Sequence, residues 1–193
     1  MARPREFTAD AVLDSAMRVF WARGYEATSL DDLCAATGLN RSSLYASFGD
    51  KRALLLMSIE RYIELGPPRI AAILAQAIPI RQAMAQVLAN FVDSVVAGPG
   101  RIGCFVGNCA VELAHHDKQA LQLARKGMQK FELVLLTAFT RAQEQGELRR
   151  DVDVAALARF FMSSMQGLRL VGKVNPDRRM LEDITATMLR LLE

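Results

Sequence analysis

The chain has 193 residues, of which 51% are hydrophobic and 23% charged, enough to bury a core and too apolar for a disordered segment. The longest stretches without Asp, Glu, Lys or Arg are Ile70 to Ile80 and Gln82 to Val92, eleven residues each. A membrane span needs roughly 20, so the reading is a protein without membrane contact, and with no apolar run behind Arg3, Arg5 and Glu6 it is placed in the cytoplasm. The net charge of +3 is too small to name a partner, and residues 1–52 carry as many acidic as basic side chains.

In chain order, the apolar spacing and the breakers predict helices over 9–23, 29–36, 40–46, 51–66, 69–77, 80–97, 102–115, 117–145, 152–173 and 177–192. The clearest stripe is Leu121, Ala124, Met128, Phe131, Leu135, Ala138 and Ala142, stepping by three and four. No segment shows the sustained alternation of a strand, so the fold expected is all-α. The first three helices are short and the later ones long. This divides the chain into a small unit over residues 1–50 and a helical bundle over 51–193, joined through the helix that begins near Asp50.

The stretch from Thr28 to Lys51 carries the function. Ser29 caps one helix, and Asp31 and Asp32 occupy its first turn, where the helix dipole favours negative charge. Gly38 supplies the positive φ that ends it, and Asn40 caps a second, very short helix. Cys34 is the small residue where the two helices approach, with Leu33, Leu39 and Leu44 around it. Arg41, Ser42, Ser43, Tyr45 and Ser47 are left facing outward. A short helix, polar outside and anchored from behind, suits the major groove, where arginine and hydroxyl side chains read base edges.

These residues carry a resemblance. Gly24-Tyr25-Glu26-Ala27-Thr28-Ser29, Ala36-Thr37-Gly38-Leu39 and Ser43-Leu44-Tyr45-Ala46-Ser47-Phe48-Gly49-Asp50-Lys51 resemble the N-terminal domain of TetR/AcrR-type transcriptional regulators over about fifty residues. The resemblance implies a helix-turn-helix DNA-binding domain joined to a helical effector-binding and dimerisation bundle. It also implies a homodimeric one-component repressor that binds a palindromic operator in double-stranded DNA. Thr28, Tyr45 and Lys51 would bind phosphates, and Arg41, Ser42 and Ser43 would face bases, within a surface that includes Ser29, Asn40 and Ser47. Arg3 and Arg5 are either a solvated tail or an arm into a neighbouring groove.

A dimer spans successive major grooves about 34 Å apart. Its interface is expected on the last two helices, at Leu157, Phe161, Met165 and Leu168 and at Leu181, Ile184, Met188 and Leu191, with Ser164 and Gly167 allowing close approach. The alternative for each is packing inside one subunit. An unidentified small-molecule effector is expected between the middle helices, where Cys104, Asn108 and Glu112 step by four; Phe105, Met128, Phe131, Met162 and Gln166 complete the candidate lining. Regulators similar to this one include repressors that sense electrophiles or oxidants through a thiol near a helix start. Cys104 is therefore either such a thiol or a packing residue.

Three cysteines are an odd count in a chain large enough to fold without staples, so reduced thiols are expected. Cys109, Glu112 and His116 lack a strong metal-ligand spacing, and no metal or cofactor is expected. Gly98 to Gly103 fits G-x-G-x-x-G formally but has no preceding strand, and no P-loop, G-x-S-x-G or H-E-x-x-H occurs. An enzyme is therefore disfavoured. The other rival, a protein-binding helical module, conflicts with the exposed Arg41-Ser42-Ser43.

Overall fold

Apolar periodicity and, for all the α-helices but α5, an N-terminal side-chain cap build the helices in the computed structural model, which describes residues 8–193. Among these residues there are nine α-helices and no strand. They are α1 (Ala9–Arg23), α2 (Leu30–Thr37), α3 (Arg41–Phe48), α4 (Lys51–Leu74), α5 (Ile80–Ala97), α6 (Phe105–Leu113), α7 (Lys118–Glu144), α8 (Val154–Val174) and α9 (Arg178–Leu189). Short 3-10 turns, Pro99–Ile102 and Arg190–Leu192, precede α6 and follow α9. None of the helices is long and apolar enough to cross a membrane. Arg3 and Arg5 lie outside the described residues.

Two apolar clusters form the interior. The first joins Phe20 of α1, Leu33 of α2, and Leu44 and Phe48 of α3 to Leu54, Leu55 and Ile59 of α4, and continues into α6 and the start of α7. The second holds α5, the later half of α7, α8 and α9 around Phe139, Phe161 and Met165. The first cluster thus runs past residue 50 without a break, and α4 contributes to both.

Three expectations change. Gly66-Pro67-Pro68 does not end a helix: α4 runs through it, because Ile70, Ile73 and Leu74 bury on the second cluster in the same helical register as Ile59 and Ile63 on the first. The prolines still remove two amide donors, so the carbonyls of Ile63 and Glu64 lose their helical partners there. The expected helix 102–115 instead starts at Phe105, because Gly103 breaks the chain at φ 89° and Cys104 caps the new helix.

The third correction concerns the dimer interface. Leu157, Phe161, Met165 and Leu168 of α8, with Leu181 and Met188 of α9, are buried in their own subunit's core and offer no surface to a second chain. Ile184 is half-buried against the same core, and Leu191 is exposed. The other side of α8 carries the exposed apolar residues Phe160, Leu170, Val171 and Val174. Gly167 lies on that side with open space where a Cβ would point. Gly172, facing inward, has the opposite role: a Cβ there would stand 2.1 Å from Val95 Cγ1, so only glycine permits the approach of α8 to α5.

Candidate nucleic-acid interface and the pocket behind it

Local hydrogen bonds set the helix pair. The Ser29 hydroxyl accepts the Asp32 amide at 3.1 Å while the Asp32 carboxylate accepts the Ser29 amide at 3.0 Å, a reciprocal capping box. Those bonds from Ser29, with Arg23 at 2.5 Å, hold the Asp32 carboxyl below the usual range. Gly38 ends α2 in the left-handed region at φ 72°. The Asn40 side-chain oxygen accepts the Ser43 amide at 2.8 Å and the Ser42 hydroxyl at 2.7 Å, starting α3 at once.

Leu44 and Phe48 anchor α3 inward, and Arg41, Ser42, Tyr45 and Ser47 stand exposed, with Ser43 half-buried. Arg41 rests on Asp31 of α2, its Nη2 at 2.7 Å and Nε at 3.2 Å from one carboxylate oxygen. Both side chains are open to solvent, and such pairs exchange readily for a stronger partner. Lys51, first residue of α4, places its ammonium 4.4 Å from the ring centre of Tyr25. Tyr25 was not among the expected site residues, although it stands in the Gly24-Tyr25 motif.

Thr28 departs from expectation. Its side chain is buried and its hydroxyl donates to the Gly24 carbonyl at 2.5 Å, so it shapes the α1–α2 turn and presents nothing to a phosphate.

The expected pocket residues fall into three groups. Cys104, Met128, Phe131 and Gln166 line a small cavity of about 70 Å³, beside Tyr62, Phe91 and Arg169. Cys104, Asn108, Glu112, Met128 and Gln166 also line a groove of about 560 Å³ on one side of it. Phe105 and Met162 line neither. Phe105 is consumed by an aromatic cluster, 5.7 Å from Tyr62 and 6.4 Å from Trp21, and Met162 packs on the second core. A third space, a cleft of about 730 Å³ bounded by α1, α4, α5, the turn at Pro99 and α8, was not foreseen.

Arg169 lines all three spaces, and Tyr62 lines the small cavity and the cleft. The Tyr62 hydroxyl accepts from Arg169 Nη1 at 3.1 Å and lies 3.9 Å from the Cys104 sulfur. Burial raises the Tyr62 pKa, so the phenol stays protonated. Neither residue is among the expected pocket lining, although Arg169 is the one charge between Phe160 and Gly172. Cys104 is buried at the α6 N-terminus, its sulfur accepting the Gly107 amide at 3.4 Å. Burial first, then Glu112 and Cys104, push the Cys109 thiol up to about 12.

Two contacts tie the pocket helices to α1 and the α1–α2 turn. The Glu112 carboxylate, expected in the pocket wall, accepts the amides of Tyr25 at 3.0 Å and Glu26 at 2.9 Å in the α1–α2 turn. Trp21 of α1 donates to the Gly103 carbonyl at 3.2 Å, and Arg169 donates to the same oxygen at 3.3 Å.

Comparison with known proteins places this geometry. A family model described as bacterial regulatory proteins, tetR family, matches residues 12–57, and one described as tetracyclin repressor-like, C-terminal domain, matches residues 80–188. The HTH-type transcriptional regulator YezE of Bacillus subtilis (strain 168) is 31% identical over the whole of both chains. The HTH-type transcriptional repressor ComR of Escherichia coli (strain K12) is 31% identical, covering 98% of this chain and 90% of ComR. Among solved structures, a cysteine mutant of the TetR family transcriptional regulator CifR, complexed with 26-bp double-strand operator DNA, superposes with a TM-score of 0.87. It shares 28% identity, over 99% of this chain and 100% of that one. With both halves matched and full-length relatives at this identity, the chain belongs to the TetR family of transcriptional regulators.

Proposed function

We propose that the protein is a dimeric one-component repressor: residues 1–50 hold a palindromic operator, and a small molecule in the bundle formed by residues 51–193 releases it. The observation that carries this reading is α3, capped by Asn40, anchored by Leu44 and Phe48, and presenting Arg41, Ser42, Tyr45 and Ser47 outward. Two such helices about 34 Å apart read successive major grooves. The exposed stripe of Phe160, Leu170, Val171 and Val174, with Gly167 open among them, supports pairing of α8 with its twin. In CifR the partner is operator DNA and ComR is named a repressor, which supports the same assignment here.

Release requires an effector that binds the DNA-incompetent arrangement more tightly. The route runs along α4, which belongs to both cores and lacks two backbone hydrogen bonds at Pro67 and Pro68, where Gly66 and Pro67 line the small cavity. Binding selection on random duplexes, followed by a salt titration of the selected site, tests the reading. The expected result is a two-fold symmetric site whose affinity falls linearly in log salt, with a slope of about −0.9 per neutralised phosphate. Salt-independent or sequence-indifferent binding would overturn it.

A second effector mode rests on Cys104, whose sulfur is at a helix start and lines both the small cavity and the 560 Å³ groove. If that thiol reports electrophiles, a small maleimide lowers operator affinity in the parent and leaves Cys104→Ser unaffected. Unchanged operator binding by the alkylated protein removes this mode.

A further inference from the structure

We propose that the effector is an organic anion, a carboxylate on an apolar body, taken into the cleft bounded by α1, α4, α5 and α8 with its charge on Arg169. This rests on the effector reading above and adds the chemical class. The cleft, about 730 Å³, is within the range of small-molecule sites. No residue of α2 or α3 lines it, so its charge is separate from the DNA-reading face.

The charges at this cleft are one-sided. Arg18, Arg69 and Arg169 line it against one carboxylate, Asp14, which Arg61 already grips at 3.0 Å. Among the described residues none of the three arginines is ion-paired. Arg18 and Arg69 are exposed and add a positive potential at the cleft; Arg169 is half-buried.

Arg169 is also oriented. Its guanidinium lies 4.2 Å from the Phe91 ring centre, and both of its hydrogen bonds, to Tyr62 and Gly103, leave from Nη1. The Nε–Nη2 edge has no protein acceptor among the described residues, and two parallel N–H donors are the fork a carboxylate matches. A half-buried cation without a counter-ion is costly, and a bound anion removes that cost while repelling amines. Ile70, Ile73, Phe91 and Trp21 supply the apolar lining that bare inorganic anions would leave unused. Because Arg169 shares the Gly103 carbonyl with Trp21 of α1, a ligand that draws the guanidinium away acts directly on a contact of the DNA-binding unit.

The test is calorimetric titration of the full chain without DNA, using 4-phenylbutyrate, its primary amide, 4-phenylbutylamine and acetate. The carboxylate is expected to bind at least roughly tenfold tighter than its amide, with no saturable heat from the amine or acetate. Arg169→Gln should erase the preference and Arg169→Lys should retain only part of it. Should Arg169→Gln fail to fold, the double variant Arg18→Gln, Arg69→Gln carries the test through a weaker preference. Equal or tighter binding of the amide or amine, or no saturable carboxylate binding at millimolar concentration, overturns the proposal. A parallel gel shift separates the two readings: an operator released only by neutral compounds removes the ligand class alone. A protein that binds no operator removes the regulator reading, while the calorimetry still decides the chemistry of the cleft.

Discussion

The Arg52 guanidinium is forked onto the Asp117 carboxylate, Nε to Oδ2 at 2.6 Å and Nη2 to Oδ1 at 2.9 Å, fastening the first turn of α4 to the start of α7. Asp117 also caps α7 by accepting the amides of Gln119 and Ala120. Arg52 first, then those amides, hold its carboxyl below the ordinary aspartate value. Between the depressed folded value and the higher unfolded one, the unfolded chain binds more protons, so acid removes stability across that window. Above the unfolded value the contribution is fully present. Asp117→Asn should therefore flatten the acid limb of a urea-midpoint series below about pH 4. An acid limb as steep as that of the parent contradicts this.

Arg41 and Lys51 should separate specificity from affinity. Arg41 has only a solvent-exposed pair with Asp31 to exchange for a guanine, so Arg41→Ala should reduce discrimination at one base pair of each half-site by roughly tenfold. Lys51→Ala should weaken operator and random duplex alike and reduce the salt slope by about one phosphate. Asp31→Asn should release Arg41 and leave the preferred base unchanged. Competition binding with single-base operator variants measures all three; equal losses on every sequence for both lysine and arginine variants refute the division.

Gly172 fixes the distance between α8 and α5. Gly172→Ala should lower stability by at least about 1–3 kcal/mol, the usual cost of overpacking, because Val95 Cγ1 occupies the place of the new methyl group. Val95→Ala should recover part of that loss in the double variant, since the two side chains compete for one volume. Thermal unfolding of the four members of the cycle reads the coupling, and strict additivity would show that the contact is not the cause.

The outer and inner faces of α8 should respond differently to charge. Leu170→Asp lies on the exposed stripe and should yield a folded monomer with much weakened operator binding. Phe161→Asp lies wholly inside the second core and should prevent folding. Sedimentation velocity with circular dichroism distinguishes these outcomes. A Leu170→Asp protein that remains a dimer places the interface elsewhere.

Much of the α2–α3 helix pair was legible because its determinants are neighbours in the chain. Ser29 with Asp32, Gly38 with Cys34, and Asn40 with Ser43 act over three or four residues, so caps, turn and outward face arise from short-range chemistry alone. The all-α character is legible for the same reason, as apolar spacing of three and four describes a helix wherever it packs. Residue types and local spacing therefore sufficed for the helices and for the polar side of α3.

Choices between faces were not available at that level. Helix α8 is apolar on both sides, Phe161 with Met165 on one and Phe160 with Val174 on the other, and periodicity cannot rank two apolar stripes. Packing against α5 and α7 ranked them. The run of α4 through Pro67-Pro68, the inward turn of Thr28, and the attachment of Glu112 to the Tyr25 and Glu26 amides likewise depend on partners brought near by folding. Tyr62 and Arg169 are 107 residues apart, and their meeting over the cleft is a product of helix packing. Short-range hydrogen bonding wrote the polar outer face of α3 into adjacent residues, whereas the pocket and the available side of α8 arose from competition among apolar faces for one interior.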